Sequence, residues 1–341
     1  MKKKLFGLLV VCILVLLVAL FWSYQQVQKF ARTPLAMTQE TLFKLPGGTG
    51  RVALEGLLVR DKLIAHPRYF PWLLQLEPEL ANFKAGTYRI TPGMTVREFL
   101  ELLKSGKEAQ FTVRFIEGTR FQDWMQVLAA SPNLKHALAN KDENQIAKIL
   151  GIPEGCPIEG WLYPDTYHYT AGNSDEMILK RAYNRMSKEV DEIWQDREKN
   201  LPYKTPEDLV TMASIIEKET GVGEERGKVA SVFINRLRIG MRLQTDPTVI
   251  YGLGKNYNGN LTRRDLQQPT AYNTYVISGL PPTPIAMPSR ASLEAAAHPE
   301  KTSYLYFVAD GKGGHVFTTN LQSHNQAVRN YLQVLREKNE K

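Results

Sequence analysis

The hydrophobic pattern of this chain begins with one long apolar stretch and then breaks into short runs of helical and strand period. After Met1-Lys2-Lys3-Lys4 no charge interrupts Leu5 to Trp22. As a helix that run spans about 27 Å, close to the thickness of a hydrocarbon core. It ends in Phe21-Trp22-Ser23-Tyr24, bulky interfacial residues with no small-x-small cleavage site, so the pattern predicts a retained single span. The lysines predict a cytoplasmic N-terminus, with the rest of the chain outside that membrane. Cys12 follows Val11 well inside the apolar run and does not read as a lipoprotein cysteine.

Beyond the span, residues 23–39 are polar and mixed and read as a stalk. Thr41 to Leu45 reads as a strand stopped by Pro46-Gly47-Gly48. Val52 to Asp61 and Pro67 to Gln75 read as helices, with Tyr69, Phe70, Trp72, Leu73 and Leu74 as core. Lys84 to Ile90 alternates like a second strand, and Thr95 caps a helix from Val96 to Leu103. The fold class expected is therefore α+β. A tail (1–4), a transmembrane helix (5–22) and a stalk (23–39) lead to a small β-α-α-β module (40–108) and a larger mixed α/β domain (109–341). In that last region Phe111 to Glu117 reads as a strand, and Phe121 to Ala130 and Asp175 to Asp196 as helices. Tyr304 to Ala309 and His315 to Phe317 form a strand pair.

The densest chemistry lies between Thr205 and Leu243. Thr205-Pro206-Glu207-Asp208 opens a helix, and Leu209, Met212, Ala213 and Ile216 mark its apolar face. Glu217-Lys218-Glu219-Thr220 follows, closed by Gly221. A carboxyl at the edge of an apolar helix face is hard to ionise and can hold a proton near neutral pH, as a general acid must. Successive helical residues turn by about 100°, so Glu217 and Glu219 lie roughly 200° apart and cannot both aim at one cleft. Periodicity alone leaves the choice between them open.

Composition excludes several alternatives. The net charge of +8 and pI near 9.2 suit an anionic membrane surface or wall, and an exported chain gives no reason to invoke nucleic acid. Only Cys156 lies outside the apolar run, so no disulfide framework exists. There is no GxSxG elbow or Cys–His signature, and Gly311-Lys312-Gly313-Gly314 lacks phosphate-loop spacing. His298, His315 and His324 show no HExxH-type pairing, so neither a metal nor a cofactor is expected. Ile158 to Tyr167 interleaves aromatics with Glu159 and Asp165, a composition shared by sugar-binding surfaces and by buried aromatic loops with satisfied acids.

The blocks ASIIEKET, SVFINRL, RLQTDPTVIYG, PTAYNTY and GLPPTPI, with KAGTYRITPGMT and EGWLYPDTY before them, closely resemble the YceG-like family of bacterial endolytic murein transglycosylases. The resemblance covers nearly the whole chain. It implies that 40–108 is a LysM-like module and 109–341 a catalytic domain carrying its catalytic glutamate on a helix. The protein would then be a single-pass enzyme of the bacterial inner membrane, facing the periplasm. By the family pattern the second glutamate of EKE, Glu219, is the acid, and Glu217 supports the helix end. Asn235, Gln244, Asp246, Tyr272, Asn273 and Tyr275 would contact sugar. The implied substrate is the nascent peptidoglycan glycan strand, cut at the MurNAc-GlcNAc bond without water to leave a 1,6-anhydroMurNAc end and terminate elongation. Peptidoglycan synthases, the penicillin-binding proteins, would be its neighbours. Two rival readings remain: a muramidase-type hydrolase with Asp246 or Asp165 placing a water, and a non-catalytic wall-binding scaffold.

Overall fold

A computed structural model describes residues 2–339; Met1 of the expected tail and residues 340 and 341 of the expected larger domain lie outside the described residues. The architecture is mixed α/β and divides into two compact units, residues 1–111 and 112–341.

In the first unit, α1 (Lys2–Ala31) runs unbroken through the apolar stretch and beyond it. It is long and apolar enough to cross a membrane. Residues 23–39 are not an extended tether. Helix α1 continues to Ala31, and Val27, Phe30, Ala31 and Leu35 are all buried in the core of this unit. The polar residues that gave the segment its stalk-like composition are interleaved at helical spacing with these apolar ones. Gln28, for example, joins α1 to an ion pair between Glu77 and Arg97. The chain after the helix is pinned as well, through Leu35 N–H to Met94 O (2.8 Å) and Ala36 N–H to Leu63 O (2.9 Å).

Strand β1 (Thr41–Leu45), helix α2 (Arg51–Arg60), helix α3 (Phe70–Leu76) and strand β2 (Gly86–Ile90) follow in that order. The strands pair antiparallel, Phe43 opposite Tyr88, and helix α4 (Val96–Ser105) closes the unit behind a capping box at Thr95 and Glu98. Only Phe70, Leu73 and Leu74 of α3 are buried. Trp72 stands outside, 59% exposed, because helical period places residues 72 and 76 on the face away from the core, whereas Tyr69, just before the helix, packs against that core half-buried.

The second unit starts in strand β3 (Gln110–Arg114), which is paired with β4 (Thr166–Thr170); between them lie α5 (Phe121–Ala129) and α6 (Glu143–Leu150). Next come α7 (Asp175–Asp196), α8 (Pro206–Glu219), α9 (Arg226–Arg238), α10 (Asp246–Leu253) and the short α11 (Arg263–Gln267). Helix α12 (Arg290–Ala297), strands β5 (Tyr306–Ala309) and β6 (His315–Thr318) and helix α13 (Leu321–Asn339) complete it. Helix α8 is not amphipathic. Every residue from Leu209 to Ile216 is buried, since α7, α9, α10 and α12 all pack on it. Side chains from α8, α9 and α12 make up much of the core of this unit.

Two loops are locked to that core. Gly160, with φ +83°, brings the 158–167 segment so close to Pro284 that an added Cβ would lie 2.4 Å from the proline's Cβ. The Ser214 hydroxyl of α8 accepts from Ile285 N–H at 3.0 Å. The first contact ties the 279–285 segment to the 158–167 segment, and the second ties it to the central helix.

Candidate active site

The two glutamates at the end of α8 face different elements. Glu217 Oε2 accepts from Ser289 N–H (2.9 Å), from the Ser289 hydroxyl and from the Ser292 hydroxyl (2.7 Å), so it braces the N-terminus of α12. That oxygen joins the end of α8 to the start of α12. Replacing Glu217 by Ala should cost about 1–3 kcal/mol, because three donors, two on the half-buried Ser289 and one on the buried Ser292, lose their acceptor. We expect thermal unfolding to shift downward while activity per folded molecule changes little; an inactive but equally stable variant would refute this role.

Glu219 is the last residue of α8 and has a different environment. Its Oε1 accepts a hydrogen bond from the Thr245 hydroxyl. By surface area Glu219 is half-buried, while the protein atoms around its carboxyl are as dense as at an interior position. Burial is the main cause that pushes it up to about 7, and Asp246 adds to the rise. The hydrogen bond from Thr245, His315 and Arg236 act in the opposite direction. The C-terminal end of a helix further disfavours a negative charge there. Helix α8 stops at this residue because Thr220 is extended and buried, its hydroxyl taking Val222 N–H at 3.0 Å. The expected glycine stop at Gly221 is not used.

Thr245 reaches Glu219 through an unusual backbone step. Gln244 has φ +49°, a left-handed conformation rare for a residue with a side chain. Its N–H donates to Thr274 O (3.1 Å), and Thr245 N–H donates to the Thr274 hydroxyl (3.0 Å). The turn leaves Gln244 and Asp246 exposed and buries Thr245 between them. The Tyr275 hydroxyl donates to Asp246 Oδ1 at 2.6 Å, and burial together with that bond raises the phenol above its ordinary range.

The other expected sugar contacts divide. Tyr272 donates to or accepts from Thr283 (2.7 Å), its ring 4.9 Å from that of Tyr251, and it remains partly exposed. Asn273 is fully buried. Its amide donates to Asp265 O, Leu266 O and Gln268 O, and its Oδ1 accepts from Tyr275 N–H, which leaves no group for a ligand. It ties off the end of α11. Asn235 also gives its amide hydrogens to backbone, Thr302 O (2.9 Å) and Tyr304 O (3.0 Å), and so fastens α9 to the segment before β5. Side-chain amides in a block rich in polar residues look the same in sequence whether they face ligand or backbone.

Thr245, Arg236 and His315 all act on Glu219, a grouping that sequence reasoning did not make. Thr245 sits between two residues that look more reactive. Arg236, 7% exposed, donates to Leu305 O (2.7 Å) and Leu243 O (2.6 Å) and lies over the Tyr306 ring. Its charge acts on Glu219 without a salt bridge to it. His315 Nδ1 meets Glu225 Oε2 at 2.7 Å, a pairing across ninety positions of sequence. Glu159 carries a second displaced carboxyl, pushed up to about 8 chiefly by burial, with both oxygens on Phe121 N–H at the start of α5. That is a satisfied structural acid rather than a sugar contact.

The chain is similar to several known proteins. A sequence profile described as the YceG-like family matches residues 43–330. A Bacillus subtilis protein named endolytic murein transglycosylase is 33% identical over 86% of this chain and 85% of its own length. One of the same name from Streptococcus pneumoniae is 27% identical over 84% of this chain, which spans 58% of that longer protein. A crystal structure of a YceG-like protein from Listeria monocytogenes superposes with a TM-score of 0.54 at 32% identity, covering 85% of this chain and 99% of that one.

Proposed function

This chain belongs to the YceG-like family, and from that membership we propose that it is an endolytic murein transglycosylase with Glu219 as its single general acid and base. The observation that carries the assignment is the division of roles at the end of α8. Glu217 gives one carboxylate oxygen to three donors that brace α12, whereas Glu219 takes a hydrogen bond from Thr245 and is raised to about 7.

A carboxyl with that value is partly protonated at neutral pH and can serve both directions of proton transfer. In the first step it gives its proton to the glycosidic oxygen as the bond from muramic acid C1 breaks. In the second, the carboxylate so formed takes the proton of the same sugar's C6 hydroxyl, whose oxygen closes on C1. The proton count balances, no water enters, and the product carries a 1,6-anhydro end. Ordinary glycosidases need a second carboxylate at a set distance to act as nucleophile or base; here the substrate's own hydroxyl takes that place. Thr245 holds the carboxyl of Glu219 in position, and Asp246 with Tyr275 forms a polar rim suited to sugar hydroxyls.

Asp246 also gives the hydrolase reading its one support, since its charge reaches Glu219. Mass analysis of products from isolated glycan strands separates the two. We expect new ends lighter by one water than hydrolysed reducing ends. Ordinary reducing ends would establish a muramidase, and no soluble product at all would favour a scaffold.

The apolar helix α1 supports an anchor in the cytoplasmic membrane, the second unit lying outside it. The β-α-α-β order of residues 41–90 supports a LysM-like module. An anchored cutter works on strands still near the membrane and near the synthases that make them. In cells, a form lacking residues 1–23 and exported at equal level should therefore leave longer average strands. Equal lengths would mean that anchoring does not choose the cut site.

A further inference from the structure

The outward face of α3 and the end of the apolar part of α1 together line a groove of about 470 Å³. Leu20, Trp22 and Tyr24 form one wall, and Tyr69, Trp72 and Leu76 the other. Trp22 is 61% exposed and Trp72 59%, so neither indole is absorbed by the protein. Trp72 and Leu76, one turn apart on α3, both stand exposed on the side away from its buried residues, and Tyr69, just before the helix, borders the groove half-buried with its ring 6.1 Å from that of Phe30. An exposed apolar stripe with aromatic residues at its centre needs a cover.

We propose that the cover is the outer surface of the lipid bilayer, so that the first unit rests on the membrane through Trp72 and Leu76 as well as being threaded into it by α1. The inference rests on the reading of α1 as a membrane span. Two observations single out lipid as the occupant. The groove is continuous with the span: Leu20 and Trp22, the last residues of the apolar run, are part of its lining, so whatever surrounds them also reaches Trp72 and Leu76. The joint is also stiff. The helix that leaves the membrane continues for two more turns into the core, where Val27 and Phe30 are buried and Gln28 is bonded to Glu77 and Arg97. A flexible stalk would let the module drift away from the bilayer, whereas a helix packed into the module holds α3 at the level where the span ends.

The chemistry of the face fits that level. Tryptophan and tyrosine concentrate where hydrocarbon meets headgroups, because their rings are apolar at one end and polar at the other. Arg68 lies exposed on the same groove, its guanidinium 4.8 Å from the Tyr69 ring centre, where a cation can meet lipid phosphate. Bringing the module down onto the surface would fix its height, so that the anchor sets how far from the bilayer a glycan strand is met.

The test uses the full chain in phospholipid vesicles at low protein density, with Cys12→Ser and Cys156→Ser as background. Single cysteines replace Trp72, Leu76, Val15 within the apolar run, or Val52, which is 83% exposed on α2. Each carries an environment-sensitive fluorophore, and the lipids carry a nitroxide quencher either near the headgroup or deep in the acyl chain. We expect labels at 72 and 76 to lose emission with the headgroup quencher, the label at 15 to lose it with the deep quencher, and the label at 52 to be unaffected. Quenching at 15 but not at 72 or 76 would overturn the resting surface and leave the anchor intact. No quenching at 15 would overturn the anchor itself. Blue-shifted emission at 72 without quenching would show a second copy of the chain in the groove and overturn the proposal, as would equal quenching at 52.

Discussion

Replacing Glu219 by Gln is expected to reduce glycan cleavage by about 10²–10⁴-fold, the usual contribution of a positioned general acid. The amide keeps the shape of the side chain, and its oxygen still accepts from Thr245. It cannot donate an acidic proton or take one back, so both steps of the proposed reaction fail together. Stability should move the other way. A carboxyl raised in the folded state from 4.5 to about 7 binds a proton that the unfolded chain has already lost. Between those values the folded state holds more protons than the unfolded one, so stability falls as pH rises through the window. Above it the loss is complete, at most about 3 kcal/mol for a shift of this size. Glu219→Gln removes that liability, and the variant should melt no lower than the parent at pH 8 and show less pH dependence between 5 and 7. In the active enzyme, kcat/KM should decline as pH rises past about 7 with loss of the acid form. An active Glu219→Gln enzyme, or an inactive one that is simply unfolded in thermal denaturation, would refute the assignment.

Removing residues 1–39 is expected to unfold the first unit, whereas removing residues 1–23 should leave it folded. The difference lies in Val27, Phe30, Ala31 and Leu35, at most 5% exposed in the core around α3 and α4. Burying a large apolar side chain contributes about 1.5–3 kcal/mol, so Val27, Phe30 and Leu35 together supply about 5–9 kcal/mol. The whole stability of a typical domain is about 5–15 kcal/mol. The longer deletion also opens the polar joint of Gln28 with Glu77 and Arg97. Hydrogen exchange at the β1–β2 amides reads the outcome directly. We expect protection in the chain that begins at Tyr24 and its loss in the chain that begins at Glu40. Equal protection in both would mean that residues 24–39 are a dispensable tether.

Much of this molecule is legible in its amino-acid sequence alone. An apolar run the length of a bilayer permits few folded states, and α1 duly forms there. The caps at Thr95 and Thr205 announce α4 and α8, because an exposed helix start needs a local acceptor and sequence neighbours provide it. Strands β1, β2, β5 and β6 follow from alternation and turn residues. The blocks that point to the YceG-like family also follow from residue identity alone, as does the fact that Glu217 and Glu219 face apart. These are local properties, fixed within a few residues of chain.

Tertiary structure decided what local pattern left open. The segment after the span reads as polar by composition, yet it is core because α3 and α4 offer its apolar face a partner. Trp72 reads as core by residue type, yet it faces outward because the buried stripe of α3 is already filled by Phe70, Leu73 and Leu74. Asn273 and Asn235 read as ligand contacts until their amides are seen on backbone carbonyls. Which partners the two glutamates meet had the same origin. Ser289 lies seventy-two positions from Glu217, and Thr245 twenty-six from Glu219. A carboxyl's readiness to hold a proton depends on the atoms folded around it, and those come from distant parts of the chain that no local pattern brings together.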